Sequence, residues 1–270
     1  MNAIQAIVLG VVQGLTEFLP ISSSGHLRIV PALFGWDDPG AAFTAVIQLG
    51  TMAAVLLYFR ADLWRIASAW LRSLRDRDMR ADLDARMGWY IILGTIPIAV
   101  LGLAFKNSIE TTFRNLELIG TTLILFGFVM LAAEAVSRRD RPLREITRRD
   151  GVLIGLAQAL ALVPGVSRSG ATISAGLFRN FDRAAAARYS FLLSVPAVVL
   201  SGLFELRHAG EGNLPIAATV IATLLAFVVG YASIALLLTY LARHTIGVFV
   251  AYRVVLGVMV ISLAASGAIS

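Results

Sequence analysis

The chain contains no cysteine and few charged residues. Without cysteine it cannot form a disulfide scaffold, a thiolate metal site or a cysteine nucleophile. Only 15% of its residues are charged, against about 25% in soluble domains, whereas 58% are hydrophobic. A chain this apolar has ample surface to bury, which excludes intrinsic disorder. The composition of these 270 residues therefore predicts an all-α, polytopic membrane protein.

The positive charge of the chain lies in short segments between apolar runs. The formal net charge is +6, and most of the arginines belong to these segments. Basic loops that flank membrane spans account for such a pattern, and the scattered aromatic residues form no stacking pattern for bases. We therefore expect a membrane and a lipid as partners, and no nucleic acid.

Six stretches are long and apolar enough to cross a bilayer as helices of about 20 residues. They lie near residues 41–59, 88–105, 116–136, 184–204, 214–241 and 246–268. Two further apolar segments, 3–34 and 151–179, are each interrupted by proline, glycine and serine. Their halves are too short to span, and irregular backbone in a membrane must be buried in protein or line a wet cavity. We predict two re-entrant helix–break–helix hairpins.

The distribution of basic residues predicts the orientation. Loop 60–87 contains seven arginines and loop 137–149 contains six, whereas the loops on the other side contain only Lys106, Arg114 and Arg207. By the positive-inside rule the arginine-rich loops are cytoplasmic. The first hairpin then enters from the outer face of the membrane, and the second enters from the cytoplasm.

The two hairpins also share residues at a constant spacing of 145 positions. Each hairpin is followed by three spans, and because three is odd, the second copy must be inverted. We interpret the chain as one membrane domain, 1–270, with inverted repeats 1–136 and 150–268 joined by the basic cytoplasmic loop 137–149, a design common in transporters. The matching residues are Gly10, Gln13, Leu15, Ser24 and Gly25 in the first hairpin, and Gly155, Gln158, Leu160, Ser169 and Gly170 in the second.

Ionisable residues inside apolar segments are costly and mark function. Glu17 follows Gln13 by four residues, so both lie on the same side of one helix. After Pro20 comes the run Ser22-Ser23-Ser24-Gly25-His26, whose hydroxyls can cap the next half-helix. The free N–H groups at such a helix N-terminus form an anion site.

The second hairpin repeats this arrangement. Arg168 has a planar fork that matches phosphate oxygens, and neutral donors flank it. Hairpins that enter from opposite faces let two half-helix N-termini converge on one anion. An acid, an imidazole, a guanidinium and several hydroxyls together indicate phosphoryl transfer. The neutral donors are Ser167, Ser169 and Thr172.

Several of these residues also have purely structural interpretations. Glu17 and Arg168 could form a buried ion pair, and His26 could be a hydrogen-bonded core residue. Arg253, in the last span, is better interpreted as the partner of a carbonyl or of Glu134 than as a substrate ligand. The two remaining histidines, His208 and His244, lie in polar loops, where we expect them to be solvated.

The two motifs QGLTEFLPISSSGHL, at 13–27, and PGVSRSGAT, at 164–172, resemble the undecaprenyl-diphosphate phosphatase family of bacterial integral-membrane enzymes. The resemblance covers essentially the whole chain. It implies hydrolysis of the C55 diphosphate to the monophosphate, which recycles the lipid carrier for peptidoglycan and confers bacitracin resistance. It also implies Mg²⁺ or Ca²⁺ and a site on the outer face of the plasma membrane. Gln13 is the glutamine variant of a position that is glutamate in other members.

From the residues and the resemblance together we expect four catalytic residues, Glu17, Ser23, His26 and Arg168. Glu17 is expected either to bind the metal, with Gln13 as a second candidate ligand, or to orient His26. The nucleophile remains open between Ser23 with His26 as base, His26 itself, and a water activated by His26. A flippase of polyprenyl phosphate is the alternative function, and a homodimer is left open. The expected diphosphate-binding residues are Ser22, Ser24, Gly25, Ser167, Ser169, Gly170 and Thr172.

Overall fold

The computed structural model describes residues 1–105, 109, 115–206 and 216–269, and over these residues the chain is all-α. Lys106, Arg114, Arg207 and His208 lie outside the described residues. The α-helices are α1 (Ala3–Phe18), α2 (Ser23–Phe34), α3 (Gly40–Tyr58), α4 (Arg60–Ser73), α5 (Leu83–Ala104), α6 (Leu116–Val136), α7 (Arg148–Ala159), α8 (Arg168–Phe178), α9 (Arg183–Leu206), α10 (Ile216–Leu241) and α11 (Gly247–Ala265).

The predicted all-α class and the predicted spans are confirmed by the lengths and the composition of the helices. Within the described ranges α5, α6, α9, α10 and α11 are each long and apolar enough to cross a membrane, and α3 with α4 forms a sixth, bent candidate. The six predicted spans coincide with α3, α5, α6, α9, α10 and α11 to within a few residues. The protein is therefore a multi-pass membrane protein.

The segment 60–87 differs from the loop that the sequence predicts. It contains the whole of α4, which bends away from α3 by 73°, and the first turn of α5. Arginine, alanine and leucine favour helix, so an arginine-rich segment need not be irregular. Asp82 starts α5 five residues earlier than expected, because its carboxylate accepts hydrogen bonds from the N–H groups of Asp84 and Ala85.

Equivalent helices of the two halves make equivalent contacts. The first helix of the first hairpin, α1, packs on α10, and the first helix of the second hairpin, α7, packs on α5. Helix α3 also packs on α10, and its counterpart α9 packs on α5. The hairpin of each half is thus held by a span of the other half, which brings the two breaks together in the middle of the protein.

The shared glycines of the repeat lie where these helices approach most closely. A Cβ atom on Gly10 would lie 2.5 Å from the carbonyl oxygen of Ala222 in α10. Its counterpart Gly155 lies against Gly94 of α5 in the same way. Small residues allow membrane helices to pack at short distance, because no water-driven force compensates for a gap between them. The recurrence of Gly10 as Gly155 therefore has a packing reason.

We expect the variant Gly10→Ala to be less stable than the natural protein. Its methyl group would force α1 and α10 apart, at a cost of about 1–3 kcal/mol. The measurement is the melting temperature in detergent, with Gly102→Ala as the matched control. The nearest atom to a Cβ on Gly102 is 3.5 Å away, which is ordinary contact. Equal melting temperatures for the two variants would contradict this packing.

The basic connection between the halves is folded back onto the second hairpin. Asp150, at the start of α7, is fully buried and accepts hydrogen bonds from Arg141, Arg179 and Thr147. Burial alone would raise the pKa of this carboxyl, but the hydrogen bonds from Arg141, Arg179 and Thr147 outweigh it and hold the pKa well below its usual range. Two of the arginines near this connection therefore anchor the base of the hairpin.

Candidate active site

Both hairpins break at a serine with left-handed backbone. Ser22 and Ser167 have φ of 75°, a costly conformation for residues other than glycine that is concentrated at functional sites. Each hydroxyl accepts a hydrogen bond from an N–H group three residues later, that of Gly25 at 3.4 Å or that of Gly170 at 3.2 Å. These caps start α2 at Ser23 and α8 at Arg168, so the two half-helices begin at equivalent positions.

The two breaks are hydrogen-bonded directly to each other. The hydroxyl of Ser22 also accepts the N–H of Gly165 at 3.1 Å, and the hydroxyl of Ser169 donates to the carbonyl of Leu19 at 3.1 Å. The N-termini of α2 and α8 therefore lie side by side. The first N–H groups of a helix have no partner within it, so this pair offers donors to one shared anion.

Glu17 lies at the centre of the polar groups around the breaks. One of its oxygens, Oε2, accepts from the Ser23 hydroxyl at 2.6 Å and from Gln13 Nε2 at 3.1 Å. The other, Oε1, accepts from the guanidinium of Arg168 on the opposite hairpin. Gln13 is held in turn by Thr51 of α3, at 3.4 Å. The structure thus brings an acid, a hydroxyl and a cation from two hairpins into contact.

His26 is placed differently from the expected pairing with Ser23. Its Nδ1 bonds the carbonyl of Ser22 at 2.7 Å, and its Nε2 bonds the hydroxyl of Tyr252 at 2.7 Å. In the described structure neither ring nitrogen bonds Ser23 or Glu17, so the expected orientation of His26 by Glu17 is not observed. The side chain that accepts the hydrogen of Ser23 is Glu17, because the chain turns back at Pro20 and carries Ser23 over the end of α1.

The other expected binding residues divide into two groups. Ser24 is exposed beside Ser23, where it can reach an anion. Thr172 is fully buried and pairs with Ser190 at 2.5 Å, so its hydroxyl is directed into the protein instead. The hydroxyls of the capping serines are likewise bound to backbone groups of the protein. This second group consists of Ser22, Ser167, Ser169 and Thr172, and Gly25 and Gly170 supply the N–H groups that their caps bind.

Sequence reasoning missed how much α11 contributes to the site. Arg253 is completely buried and donates to the carbonyls of Pro20, Gly165 and Val166, which belong to the two breaks, and to that of Leu123 in α6. The interpretation of Arg253 as a partner of carbonyls agrees with these contacts. Its other suggested partner, Glu134, is bound instead by Arg139 and Arg183. Tyr252 gave no signal in the sequence.

The sequence that carries this site matches a known family. The family profile described as bacitracin resistance protein BacA matches residues 6–259, a range that covers most of the first hairpin, the whole second hairpin and the spans up to the last turns of α11. The chain belongs to the BacA family. The resemblance that the motifs at 13–27 and 164–172 indicate is therefore confirmed.

Relatives of this BacA family member have closely similar sequences over their full length. A Nocardioides protein named undecaprenyl-diphosphatase is 56% identical over 272 residues, covering 100% of this chain and 99% of the relative. A Mycobacterium protein of the same name is 56% identical over 278 residues, with the same coverage. The undecaprenyl-diphosphatase of Thermobifida fusca is 51% identical, covering 100% of this chain and 93% of the relative.

The divalent cations Mg²⁺ and Ca²⁺ bind oxygen ligands, usually several carboxylates and carbonyls or water. Among the described residues no group of three or more histidines and acids is placed to hold a metal ion. Glu17 supplies one carboxylate, and Gln13 directs its amide nitrogen toward it. These residues do not fit a cation held by protein alone. They fit one that is shared between one carboxylate and the phosphates of a substrate, which is common for Mg²⁺.

Proposed function

We propose that this BacA family member hydrolyses undecaprenyl diphosphate to undecaprenyl phosphate and inorganic phosphate. It thereby recycles the lipid carrier for peptidoglycan and other envelope polymers, and it confers resistance to bacitracin. The observation that carries the proposal is the contact of Glu17 with both Ser23 and Arg168 at two adjoining helix N-termini. The shared name of the relatives, undecaprenyl-diphosphatase, identifies the substrate class.

The same contact favours an enzyme over a flippase. A carrier of polyprenyl phosphate needs a cation and helix N-termini to bind the anion, as in other transporters with inverted repeats. It has no use for a carboxylate that accepts the hydrogen of a serine, because that pair activates a nucleophile. The names of the relatives, undecaprenyl-diphosphatase, agree with an enzyme.

In the proposed reaction the terminal phosphate binds at the N-termini of α2 and α8, while the polyprenyl chain stays in lipid. Arg168 binds phosphate oxygens, and a divalent cation held by Glu17 and the diphosphate would neutralise further charge when bound. The Ser23 hydroxyl passes its proton to Glu17 as its oxygen bonds to phosphorus, and the bond to undecaprenyl phosphate breaks. Water then attacks the phosphorus of the phosphoserine and loses its proton to His26, while Glu17 returns its proton to the Ser23 oxygen as the bond from that oxygen to phosphorus breaks.

The location of the site supports the rest of the proposal. Both hairpins belong to one chain, so the chemistry does not need the homodimer that the sequence leaves open. By the positive-inside rule we expect the arginines of 60–87 and 137–149 to keep those segments in the cytoplasm. The first hairpin then opens to the outer face of the plasma membrane, where the diphosphate lipid would enter.

The test is phosphate release by the purified protein in detergent, from a long-chain polyprenyl diphosphate, with Mg²⁺, with Ca²⁺ and with a chelator. We expect release that depends on the cation. Release that is unchanged by the chelator would remove the cation from the proposal, and a protein that binds the lipid without releasing phosphate would contradict the enzyme. A transbilayer flipping assay on the same preparation then tests the carrier.

For the nucleophile we expect Ser23→Ala to lower kcat by about 10²-fold or more, because no other hydroxyl would be held against Glu17. Ser266→Ala, at an exposed serine beyond α11, is the matched control. The chemistry can be followed by rapid quenching and mass spectrometry, which should detect phosphate on Ser23. Near-normal turnover of Ser23→Ala would exclude Ser23 as the nucleophile. Phosphate trapped on His26 would show that His26 is the nucleophile instead.

A further inference from the structure

Tyr252 is the residue near the site whose contacts the reaction described above does not explain. It lies on α11, 226 positions away from His26, and its hydroxyl is 2.7 Å from His26 Nε2. The two rings are stacked, with 5.6 Å between their centroids and 7° between their planes. About 44% of the Tyr252 surface is exposed, so the residue is not a packed core aromatic. Its polar end nevertheless points inward to the histidine.

The partners of His26 determine which ring nitrogen carries the proton. The carbonyl of Ser22 can only accept a hydrogen bond, so Nδ1 of His26 must donate to it. A charged imidazolium at this buried position would have no carboxylate among its hydrogen-bond partners, so we take the ring as neutral. A neutral ring has one N–H group, which leaves a lone pair at Nε2, and the Tyr252 hydroxyl donates to it.

We infer that Tyr252 is a positioning residue, which holds His26 with its proton on Nδ1 and its lone pair on Nε2. The inference rests on the proposed phosphatase function. Its reason is that His26 can act as a base only through the Nε2 lone pair, which the Tyr252 hydroxyl occupies. The proton of the water therefore reaches Nε2 through that hydroxyl, which gives its own proton to Nε2 and takes the one from water. The Ser22 carbonyl fixes one side of the ring, and the hydroxyl and ring of Tyr252 fix the other.

The position of Tyr252 is itself well defined. The next residue, Arg253, is bound to carbonyls of both breaks, so this turn of α11 cannot shift without disturbing the hairpins. His26 belongs to the helix that starts at the first of these breaks. The tyrosine and the histidine are therefore held in one framework, which preserves the 2.7 Å contact between them.

The kinetic test is Tyr252→Phe, which keeps the ring and removes the hydroxyl. We expect kcat for phosphate release to fall about tenfold or more with little change in KM, because the proton of the water loses its path to Nε2. Tyr231→Phe is the matched control, since Tyr231 is also partly exposed on a span and its ring contacts Tyr58. An unchanged kcat for Tyr252→Phe would overturn the inference.

A double-mutant cycle shows whether Tyr252 acts through His26. In a His26→Ala background the change Tyr252→Phe should have no further effect, because the residue that it positions is gone. An equal loss in both backgrounds would mean that Tyr252 acts on something else, and the inference would fail. Phosphate release by the natural protein in the same assay tests the proposed function separately.

The proton position can be measured without any turnover. The chain has 3 histidines, so ¹⁵N-histidine labelling of the double variant His208→Gln/His244→Gln reports on His26 alone. We expect a protonated Nδ1 and an unprotonated Nε2 at neutral pH, and Tyr252→Phe should shift the Nε2 resonance or mix the two tautomers. A protonated Nε2 in the natural protein, or a spectrum that Tyr252→Phe leaves unchanged, would overturn the inference.

Discussion

Arg168→Ala should lower kcat/KM for phosphate release by about 10³-fold or more. A guanidinium that stabilises the transition state of phosphoryl transfer raises the rate by about 10³–10⁵-fold. Arg168 is the cation of the second hairpin that contacts Glu17. Arg72→Ala is the matched control, because Arg72 is exposed on α4 and its guanidinium donates to the carbonyl and the hydroxyl of Ser68. The measurement is steady-state phosphate release in detergent.

The loss must be separated from a loss of folding. Arg168→Ala leaves the buried Glu17 without its cation, which alone destabilises the protein. The variant Glu17→Gln/Arg168→Met removes both charges, so its melting temperature should return toward that of the natural protein while phosphate release stays absent. Activity that returned with the melting temperature would show that the pair is only structural, as the alternative interpretation of Glu17 and Arg168 holds.

Arg253→Met should destabilise the protein by at least about 3 kcal/mol and abolish phosphate release. The guanidinium donates to four backbone carbonyls at zero exposure, and each buried acceptor that is left unsatisfied costs about 1–3 kcal/mol. We expect a large fall in the melting temperature in detergent. Arg243→Met, at an exposed position just after α10, should melt like the natural protein.

The variant Arg253→Lys tests whether the charge of Arg253 or the shape of its guanidinium matters. Lysine keeps the charge, but its single ammonium cannot reproduce a planar fork that reaches both breaks at once. We therefore expect this variant to melt between Arg253→Met and the natural protein and to retain little activity. If Arg253→Met melted and hydrolysed normally, the carbonyls of Pro20 and Gly165 would have to find other donors, and the role of Arg253 would be wrong.

The sequence predicted features that depend on local composition and periodicity. The six spans follow from runs of apolar residues, and the two hairpins follow from proline, glycine and serine in the middle of such runs. The contact of Gln13 with Glu17 follows from their spacing of four along one helix. The loop predicted at 60–87 was wrong in detail, because its arginines occupy helical positions in α4.

Contacts across the breaks could not be predicted in this way. Helical periodicity stops at Pro20, so it does not say whether Ser23 meets Glu17 or His26 after the chain reverses. It also does not say that Thr172 turns inward to Ser190 while Ser24 stays exposed. Each of these outcomes depends on the backbone conformation at one or two residues.

By itself the sequence determined the class of the protein, its spans, its family and the residue types that we propose for binding phosphate. Those properties follow from local hydrophobicity and from motifs that are continuous in the chain. Only the tertiary structure decided which partner each side chain has, because Glu17 with Arg168, and His26 with Tyr252, are separated by 151 and 226 positions. Such pairs form through the packing of both halves around one centre, which no local pattern encodes.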